Sequence, residues 1–211
     1  MKRSAQIAVI GAGGHAKVVI STLQAAGRHP AAAFDDDEGK WGSEILGVPV
    51  AGAITAVRDG EYDLGVIAIG NNSKRKEISA TVTLEWITVT HPSAYVHPSA
   101  SLGCGTVVFA GAVIQPETVI GDHAIVNTGA TIDHDCGIGD FAHIAPGASL
   151  AGKVVVGEGT LIGIGSSVIP GIRIGSWITL GAGAVAVRDL PDKAVAIGVP
   201  ARPTRGRNVN K

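Results

Sequence analysis

Aliphatic side chains recur at every sixth residue through the second half of the chain. The series has fifteen members without a break, and each one is Val, Ile or Leu. A period of six matches neither the 3.6-residue repeat of an α-helix nor the two-residue repeat of a single strand. It predicts short strands joined by corners, whose successive coils pair as the parallel strands of a β-helix. The fifteen positions are Val96, Leu102, Val108, Ile114, Ile120, Val126, Ile132, Ile138, Ile144, Leu150, Val156, Ile162, Val168, Ile174 and Leu180.

Two further positions follow the same period. The residue two places before the anchor is usually small, and the residue after it is often glycine. We therefore expect the anchor to fill the interior, the small residue to occupy a crowded place beside it, and glycine to relax the corner backbone. The small residues include Ala112, Thr118, Ala124, Ala130, Cys136, Ala142, Ala148, Thr160 and Ser166, and the glycines include Gly103, Gly121, Gly139, Gly157, Gly163, Gly175 and Gly181.

Residues 5–90 show a different pattern, in which apolar strands alternate with helical segments. Gln6–Ile10 predicts a buried strand, which leads into the glycine-rich turn Gly11–Lys17 and a helix through about Ala26. Such alternation predicts a small parallel α/β sheet. Further strands are predicted at Ala31–Phe34, Leu64–Ile69 and Trp86–Thr90, and a helix at Lys74–Thr81.

Composition narrows the function classes. The chain has 211 residues and a formal net charge of −1, which argues against a nucleic-acid-binding surface. Its two cysteines, Cys104 and Cys136, provide no disulfide framework and suit a reducing cytoplasm. No apolar stretch reaches the roughly 18 residues that suggest a membrane span, and the apolar run after the basic N-terminus is short for a signal peptide. We expect a cytoplasmic protein without nucleic-acid or membrane partners.

The turn between the first strand and its helix is a candidate phosphate site. Backbone N–H groups at a helix N-terminus bind anions, and glycines allow close approach. The acidic cluster Asp35–Asp37 follows about twenty residues later, the usual place of a ribose-binding carboxylate. The loop Gly70–Asn72 follows another strand at the same edge of the sheet. A tight turn without a ligand is the alternative, and the small size of this half favours a nucleotide-sugar over a dinucleotide.

Several motifs together resemble one family along essentially the whole chain. These are GAGGHAK, FDDD, IAIGNN, the hexapeptide repeat and IGVPAR near the end. They resemble the sugar acetyltransferases that include bacterial UDP-N-acetylbacillosamine and perosamine N-acetyltransferases and sialic acid O-acetyltransferase-like proteins. The resemblance implies a Rossmann-like domain for the nucleotide-linked amino sugar at 1–90, a left-handed β-helix for acetyl-CoA at 91–187, and a C-terminal extension at 188–211. It also implies a homotrimer.

His134 is the candidate catalytic base. It lies between Asp133 and Asp135, and a neighbouring carboxylate fixes the tautomer of an imidazole and raises its basicity. In the resembling family three hexapeptides form one coil, so Gly152 would lie one eighteen-residue coil above His134. The resemblance implies that His134 is the base, that Asp135 takes the place of an acid that is Glu in some members, and that the N–H of Gly152 faces the thioester carbonyl.

The resemblance also implies binding residues for both co-substrates, and no metal. Acetyl-CoA would contact His143, Ile164 and Ala182, mainly through backbone atoms on the later coils. Arg188, Arg202, Arg205 and Lys211 are further candidates for CoA phosphates, with a basic, flexible tail as the alternative for the last two. Lys17 is a candidate for a phosphate of the sugar nucleotide, with an exposed helix lysine as the alternative. The nucleotide-sugar would contact Gly13, Gly14, His15, Asp35, Asp36 and Gly70.

The phase of the repeat places His123, His134 and His143 outside the interior of the β-helix, as site residues or as ordinary surface or interface residues. His134 and His143 lie half a coil apart, so they could meet only across a subunit boundary. Phe109 and Phe141 also point outward, where they either pack subunits together or lie at the surface.

The leading hypothesis is acetyl-CoA-dependent N-acetylation of a nucleotide-linked 4-amino-4,6-dideoxy sugar, by direct attack of the amine on the thioester. O-acetylation of a sialic acid or a related sugar is the alternative within the class. Zinc-dependent carbonic anhydrases share the fold, but His123, His134 and His143 lack the close histidine pair of those enzymes. A trimeric scaffold or sugar-nucleotide sensor is the non-enzymatic alternative.

Overall fold

The computed structural model describes residues 6–57 and 61–204 and contains an α/β domain followed by a left-handed parallel β-helix. The elements of the α/β domain are β1 (Ile7–Ile10), α1 (Gly14–Ala25), β2 (Ala32–Phe34), a 3-10 turn (Glu38–Lys40), β3 (Glu44–Ile45), β4 (Val48–Gly52), a 3-10 turn (Ile54–Ala56), β5 (Leu64–Ile67), α2 (Asn72–Thr81) and β6 (Glu85–Trp86). Its strands form a six-stranded sheet of order β3-β4-β2-β1-β5-β6, in which every pair is parallel except β3–β4.

The predicted strand Trp86–Thr90 is divided between the two domains. The N–H of Ile87 still bonds to Gly65 in the α/β sheet, whereas the N–H of Val89 bonds to Thr106 in the β-helix. Val89–Thr90 is thus the first strand of the β-helix, so the two domains join before residue 90. The hairpin β3–β4 was absent from the sequence-based prediction.

The β-helix has three faces, and all fifteen predicted anchors end a two-residue strand. Strands pair with the strand eighteen residues later, as Ile114 does with Ile132. Face 1 holds β7 (Val89–Thr90), β10 (Val107–Val108), β13 (Ile125–Val126), β16 (His143–Ile144), β19 (Leu161–Ile162), β22 (Thr179–Leu180), β24 (Val195–Ile197) and the antiparallel β25 (Arg202–Pro203). Face 2 holds β8 (Tyr95–Val96), β11 (Val113–Ile114), β14 (Thr131–Ile132), β17 (Ser149–Leu150), β20 (Ser167–Val168) and β23 (Val185–Ala186). Face 3 holds β9 (Ser101–Leu102), β12 (Val119–Ile120), β15 (Gly137–Ile138), β18 (Val155–Val156) and β21 (Arg173–Ile174).

The anchors and the small residues form one continuous core inside the coils. Ile132 and Ala130 are completely buried, and Cys136 occupies the small interior position as predicted. The Cys136 thiol donates to the carbonyl of Ala151 at 3.2 Å. Burying one aliphatic anchor stabilises the fold by roughly 1.5–3 kcal/mol, so the repeat itself supplies the rigidity on which side chains at the corners are held.

The α/β domain packs on face 1. Val9 and Val19 share a buried cluster with Val107, Phe109 and Ile125 of the β-helix. Phe109 is completely buried there, so the expectation that it packs subunits together or lies at the surface is wrong, because a second domain of the same chain covers it.

Phe141 and His123 lie at the corner where face 3 leads into face 1. Their rings stack at 5.3 Å with an interplanar angle of 5°, and the Trp86 ring contacts His123 edge-on at 5.3 Å. His123 is 4% exposed. It lies outside the interior as predicted, yet it is buried beneath the α/β domain.

Arg75 of α2 connects the two domains. Its guanidinium donates to the carbonyls of His123 at 2.8 Å and Phe141 at 2.6 Å in the β-helix, and to Ile69 at 3.0 Å in the α/β domain. Asn72 adds a hydrogen bond of 2.9 Å to the carbonyl of Gly159. These bonds fix the carboxyl end of β5 against face 1. Within the described part of the chain, neither helix has the length and apolar character needed to cross a membrane.

Candidate active site

His134, Asp135 and Gly152 meet at the corner between faces 2 and 3. The Nδ1 atom of His134 lies 2.7 Å from Oδ2 of Asp135. Because a carboxylate can only accept, Nδ1 carries the proton and Nε2 presents a basic lone pair. The side chain of His134 is 53% exposed, so this lone pair is open to a ligand.

Gly152 lies in the next coil after His134, as the eighteen-residue spacing predicted, and it faces the imidazole ring. A Cβ atom on residue 152 would lie 2.6 Å from both Cε1 and Nε2 of His134, a distance that real Cβ contacts do not reach. Glycine is therefore required for the ring to occupy its place. The carbonyl of His134 accepts from the N–H of Lys153 at 2.9 Å, which ties the two coils together at this corner.

The N–H of Gly152 has no acceptor among the residues that the structure describes, although Gly152 is buried. Residues at the same phase in other coils are Pro98, Pro116 and Pro170, which have no N–H to satisfy. His134, Gly152 and Arg188 are the described members of this column that are not proline. A buried N–H without a partner is costly, so this group is suited to receive an acceptor from a ligand.

A shallow cavity of about 230 Å³ lies next to this corner on face 2. Gln115, Thr131 and Asp133 contribute its polar lining. Asp133 also fixes the corner, because its Oδ1 accepts from the N–H of His134 at 2.8 Å. The base therefore borders a surface large enough for part of a ligand. Another groove, of about 510 Å³, lies on face 3 near Arg173 and Asp189, and contains none of the predicted site residues.

The predicted phosphate turn is open above its glycines. Nothing lies within 4 Å of a Cβ placed on Gly13 or Gly14, and no side chain caps the first turn of α1. Gly11 has a different role, because its φ is +112° and a Cβ there would lie 2.9 Å from the carbonyl of Ala68. The N–H groups at this helix end are thus available to an anion.

Asp35 and Asp36, the predicted nucleotide-sugar contacts, both bond to the chain itself. Oδ2 of Asp35 accepts from the N–H of Ala12 at 2.7 Å, and the Lys40 ammonium lies 3.1 Å from both carboxylate oxygens. Burial opposes ionisation, but the N–H groups of Asp37 and Ala12 and the Lys40 ammonium outweigh it and hold the pKa of Asp35 below its ordinary value. Asp36 accepts from the N–H of Ile54 at 3.0 Å. Asp35 therefore braces the phosphate turn, and Asp36 holds the segment that follows β4.

His15, Gly70 and His143 come together where the α/β domain meets face 1. The ring centroids of His15 and His143 are 6.2 Å apart. Asn127 donates to Nε2 of His143 at 3.0 Å, because the Asn127 oxygen already accepts from Thr128. Nδ1 of His143 therefore carries the proton and faces the backbone of Gly70. Sequence reasoning placed His143 with acetyl-CoA, whereas the structure places it beside the nucleotide-sugar residues.

Both of these histidines are held neutral. Burial first, then the Arg75 guanidinium and His15, lower the pKa of His143 to about 3. Burial and then Arg75 lower the pKa of His15 to about 4. Arg75 forms no ion pair with any described residue, and burial lowers its own pKa to about 9. Nε2 of His15 is buried without a hydrogen-bond partner, so it can accept from or donate to a ligand.

Sequence reasoning missed Arg75 and Asn127, since no local pattern marks them. A cleft of about 190 Å³ continues from this cluster along face 1, between Gly70–Ser73 and Leu161, Trp177 and Thr179. It connects the loop after β5 to the later coils.

Ile164 and Ala182 lie one coil apart at the corner between faces 1 and 2. The N–H of Gly183 bonds to the carbonyl of Ile164 at 2.8 Å. Ile164 is 60% exposed, and Ala182 is exposed as well. Arg188 and Arg202 are also exposed, whereas Arg205 and Lys211 lie outside the described residues. This corner carries glycine with positive φ in five successive coils, at Gly111, Gly129, Gly147, Gly165 and Gly183.

The two predicted halves of the site lie on opposite sides of one chain. His134 is on the corner between faces 2 and 3, and the glycine-rich turn lies against face 1. In a triangular coil this corner is opposite face 1, so the turn cannot present a ligand to His134 of the same chain. His123, His134 and His143 likewise lie at three different places around the coil.

The comparisons with known proteins agree with this architecture. The family described as the PglD N-terminal domain matches residues 6–82. An asparagine-for-histidine mutant of perosamine N-acetyltransferase from Caulobacter crescentus, in complex with CoA and GDP-perosamine, is 42% identical with a TM-score of 0.91, over 97% of this chain and 99% of that chain. The acetyltransferase domain of PglB from Neisseria gonorrhoeae, in complex with acetyl coenzyme A, is 41% identical with a TM-score of 0.86, over 96% of this chain and 100% of that chain.

A curated relative gives the same result over a shorter length. UDP-N-acetylbacillosamine N-acetyltransferase of Bacillus subtilis is 44% identical over 109 residues, 48% of this chain and 50% of the relative. The chain spans half or less of the length of the curated relatives that it matches. In contrast, this chain covers the solved relatives almost completely, so the similarity includes both the α/β domain and the β-helix. The chain belongs to the family of hexapeptide-repeat sugar N-acetyltransferases that includes perosamine N-acetyltransferase and the acetyltransferase domain of PglB.

Proposed function

We propose that this protein transfers the acetyl group of acetyl-CoA to the amine of a nucleotide-linked 4-amino-4,6-dideoxy sugar, in the cytoplasm. The observation that carries the proposal is the His134 corner, where Asp135 fixes the tautomer and leaves Nε2 free over Gly152. The solved relatives support the substrate class, because two of them hold CoA with GDP-perosamine and another holds acetyl coenzyme A.

The proposed reaction uses direct attack. The neutral amine forms a C–N bond to the thioester carbonyl carbon, and the carbonyl electron pair moves onto oxygen. Nε2 of His134 takes the proton from the attacking nitrogen, and Asp135 stabilises the imidazolium. The N–H of Gly152 donates to the oxyanion. Collapse breaks the C–S bond, and the proton held by His134 is available to the departing CoA sulfur.

The two binding regions follow from the same proposal. The N–H groups at Gly13 and Gly14 receive the diphosphate, and His15, Gly70, Asp35 and Asp36 contact the ligand nearby. Asp35 also holds the turn through the N–H of Ala12. The CoA arm lies along Ile164 and Ala182, where the glycine column leaves the backbone uncovered by side chains. The α/β domain, which ends before Val89, then serves the nucleotide-sugar, the coils from Val89 to 187 serve the transfer, and 188–211 form an extension. His143, whose two ring nitrogens face Asn127 and Gly70, is proposed as an acetyl-CoA contact only through packing of its ring at the boundary between the two domains.

Acetylation assays test the activity. The purified protein is incubated with acetyl-CoA and UDP- or GDP-linked 4-amino-4,6-dideoxy sugars, and release of the CoA thiol is followed together with the product mass. We expect acetylation of an amine and none of the matching 4-hydroxy sugars. Acetylation of a sialic acid hydroxyl instead would reassign the acceptor, and failure to bind acetyl-CoA would leave only a scaffold or sensor.

We further propose a homotrimer in which each active site combines two subunits. The support is the position of His134 on the side of the coil opposite the α/β domain. Variant His134→Ala lacks the base, and variant Gly14→Asp repels phosphate while keeping a residue that suits a helix N-terminus. Co-expressed with separate tags, the two inactive variants should recover about a quarter of the wild-type activity, because random mixing gives that fraction of intact sites. Mixed oligomers without activity would contradict the shared site.

A further inference from the structure

An exposed tryptophan lies directly beyond the acidic cluster of the α/β domain. Trp41 is 42% exposed, although it is among the largest apolar side chains of the domain. Its indole N–H donates to the carbonyl of Asp35 at 2.7 Å. The next residues are tied to β4, because Gly42 donates to the carbonyl of Val50 and Val50 donates to Ser43. The ring is therefore fixed at its nitrogen edge, on a loop with few degrees of freedom.

Asp35 joins this ring to the phosphate turn. Its carboxylate accepts from the N–H of Ala12 at 2.7 Å, and its carbonyl accepts from Trp41 at the same distance. The glycine-rich turn and the indole thus lie on two sides of a single residue. Lys40 holds the carboxylate from a third direction, at 3.1 Å.

The order of these groups matches the order of the parts of a nucleoside diphosphate. In doubly wound sheets a phosphate binds at the first glycine turn, and the ribose lies near the acid at the end of the second strand. The base of such a ligand therefore extends beyond Asp35, to the place where the structure holds Trp41. Exposed aromatic rings are the side chains on which bases stack, and every base has a face that can do so.

We propose that Trp41 is the platform on which the nucleobase of the sugar nucleotide stacks, and that it helps to set nucleotide preference. This inference rests on the proposed function, because it assumes that the α/β domain holds the sugar nucleotide. A purine offers more stacking area than a pyrimidine, so removal of the ring weakens guanosine nucleotides more than uridine nucleotides.

Nucleotide binding tests the platform without any acetyl transfer. Calorimetry of the full-length protein with UDP, dTDP, CDP and GDP gives the Kd of each for wild type, Trp41→Ala and Trp41→Phe. We expect Trp41→Ala to raise the Kd of the preferred nucleotide about ten-fold or more, and Trp41→Phe to stay within about three-fold. The KM for acetyl-CoA stays unchanged in both variants. Leu46→Ala is the matched control, since Leu46 is an exposed apolar residue on the nearby β3–β4 turn.

The outcomes separate the two proposals. A Trp41→Ala protein that binds all four nucleotides within two-fold of wild type overturns the platform and leaves the proposed function standing. A wild-type protein that binds none of them overturns both. Equal weakening by Leu46→Ala would also overturn the platform, because it would show a general disturbance of the loop region instead of a lost stacking surface.

Discussion

The exposed histidine corner and the buried histidine cluster place the same side chain in opposite surroundings. His134 is half exposed and rests against the carboxylate of Asp135. His143 and His15 lie between two domains, next to the guanidinium of Arg75, with pKa values lowered to about 3 and about 4. A carboxylate stabilises a positive imidazole, whereas a buried guanidinium opposes it.

This difference in surroundings suits His134 to proton transfer and the buried histidines to ligand recognition. A base must gain and lose a proton during each turnover. Of the two places, the His134 corner is the one where a carboxylate lies beside the imidazole and stabilises its charged form. A histidine that stays neutral keeps one donor and one acceptor in fixed places, as Asn127 and Gly70 do for His143. Nε2 of His15, which is buried without a partner beside His143, is therefore suited to orient a ligand.

Loss of the exposed imidazole should have the largest effect. We expect His134→Ala to lower kcat about 10²- to 10⁴-fold with little change in KM, because general-base catalysis contributes about that much. Steady-state kinetics with both substrates measure it. His97→Ala is the control, since His97 also lies beside face 2 and bonds only locally to Ser99. A His134→Ala protein with near-full turnover would contradict the assignment.

Loss of the buried guanidinium should act mainly on stability. Arg75→Met leaves the carbonyls of His123 and Phe141 without their donor, and each unsatisfied buried group costs about 1–3 kcal/mol. We expect the free energy of unfolding to fall by about 2–4 kcal/mol, measured by urea denaturation. Lys76→Met, one residue away at an exposed ion pair with Glu158, should change it by less than about 1 kcal/mol. An equal loss of unfolding free energy in the two variants would contradict the role of Arg75 in connecting the two domains.

The smallest expected effect is on how the stability of the protein depends on pH in acid. His15 and His143 bind protons more readily in the unfolded chain, because their pKa values are lowered in the folded state. The stability that their neutral forms provide is complete above the ordinary pKa of 6.5 and is lost as pH falls toward about 4 for His15 and about 3 for His143. A His15→Asn, His143→Asn double variant should therefore show a flatter stability profile between pH 6.5 and pH 4 in urea melts. An unchanged slope would mean that other groups carry the acid dependence.

The sequence predicted the inside of the β-helix well, because the interior imposes a local period. All fifteen anchors end a strand, and Cys136 occupies the small interior position. The stacking of Gly152 over His134 followed from the same spacing. The proline column at this corner was also readable from the sequence, since Pro98, Pro116 and Pro170 share the phase of His134 and Gly152.

The outside of the β-helix was not predictable in this way. The repeat indicates that Phe109, His123 and His143 point outward, but it does not say what covers them. Their surroundings depend on contacts with residues distant in sequence, such as the bond from Arg75 to the carbonyl of His123, 48 residues away. The division of residues 86–90 between two sheets has the same cause, since only the partner strands distinguish Trp86 from Val89.

The stacking of residues eighteen positions apart also bears on how such a protein changes over evolution. Inserting or deleting one residue within a coil would move every later side chain to a different face and separate His134 from its neighbours. Duplication of a whole coil would preserve every face and add about 4.8 Å along the axis. The distance along the axis between His134 and the corner that carries Ile164 and Ala182 can therefore grow only by the height of whole coils. A β-helix of this kind could come to fit a longer acyl donor by duplicating a coil, but not by adding single residues one at a time.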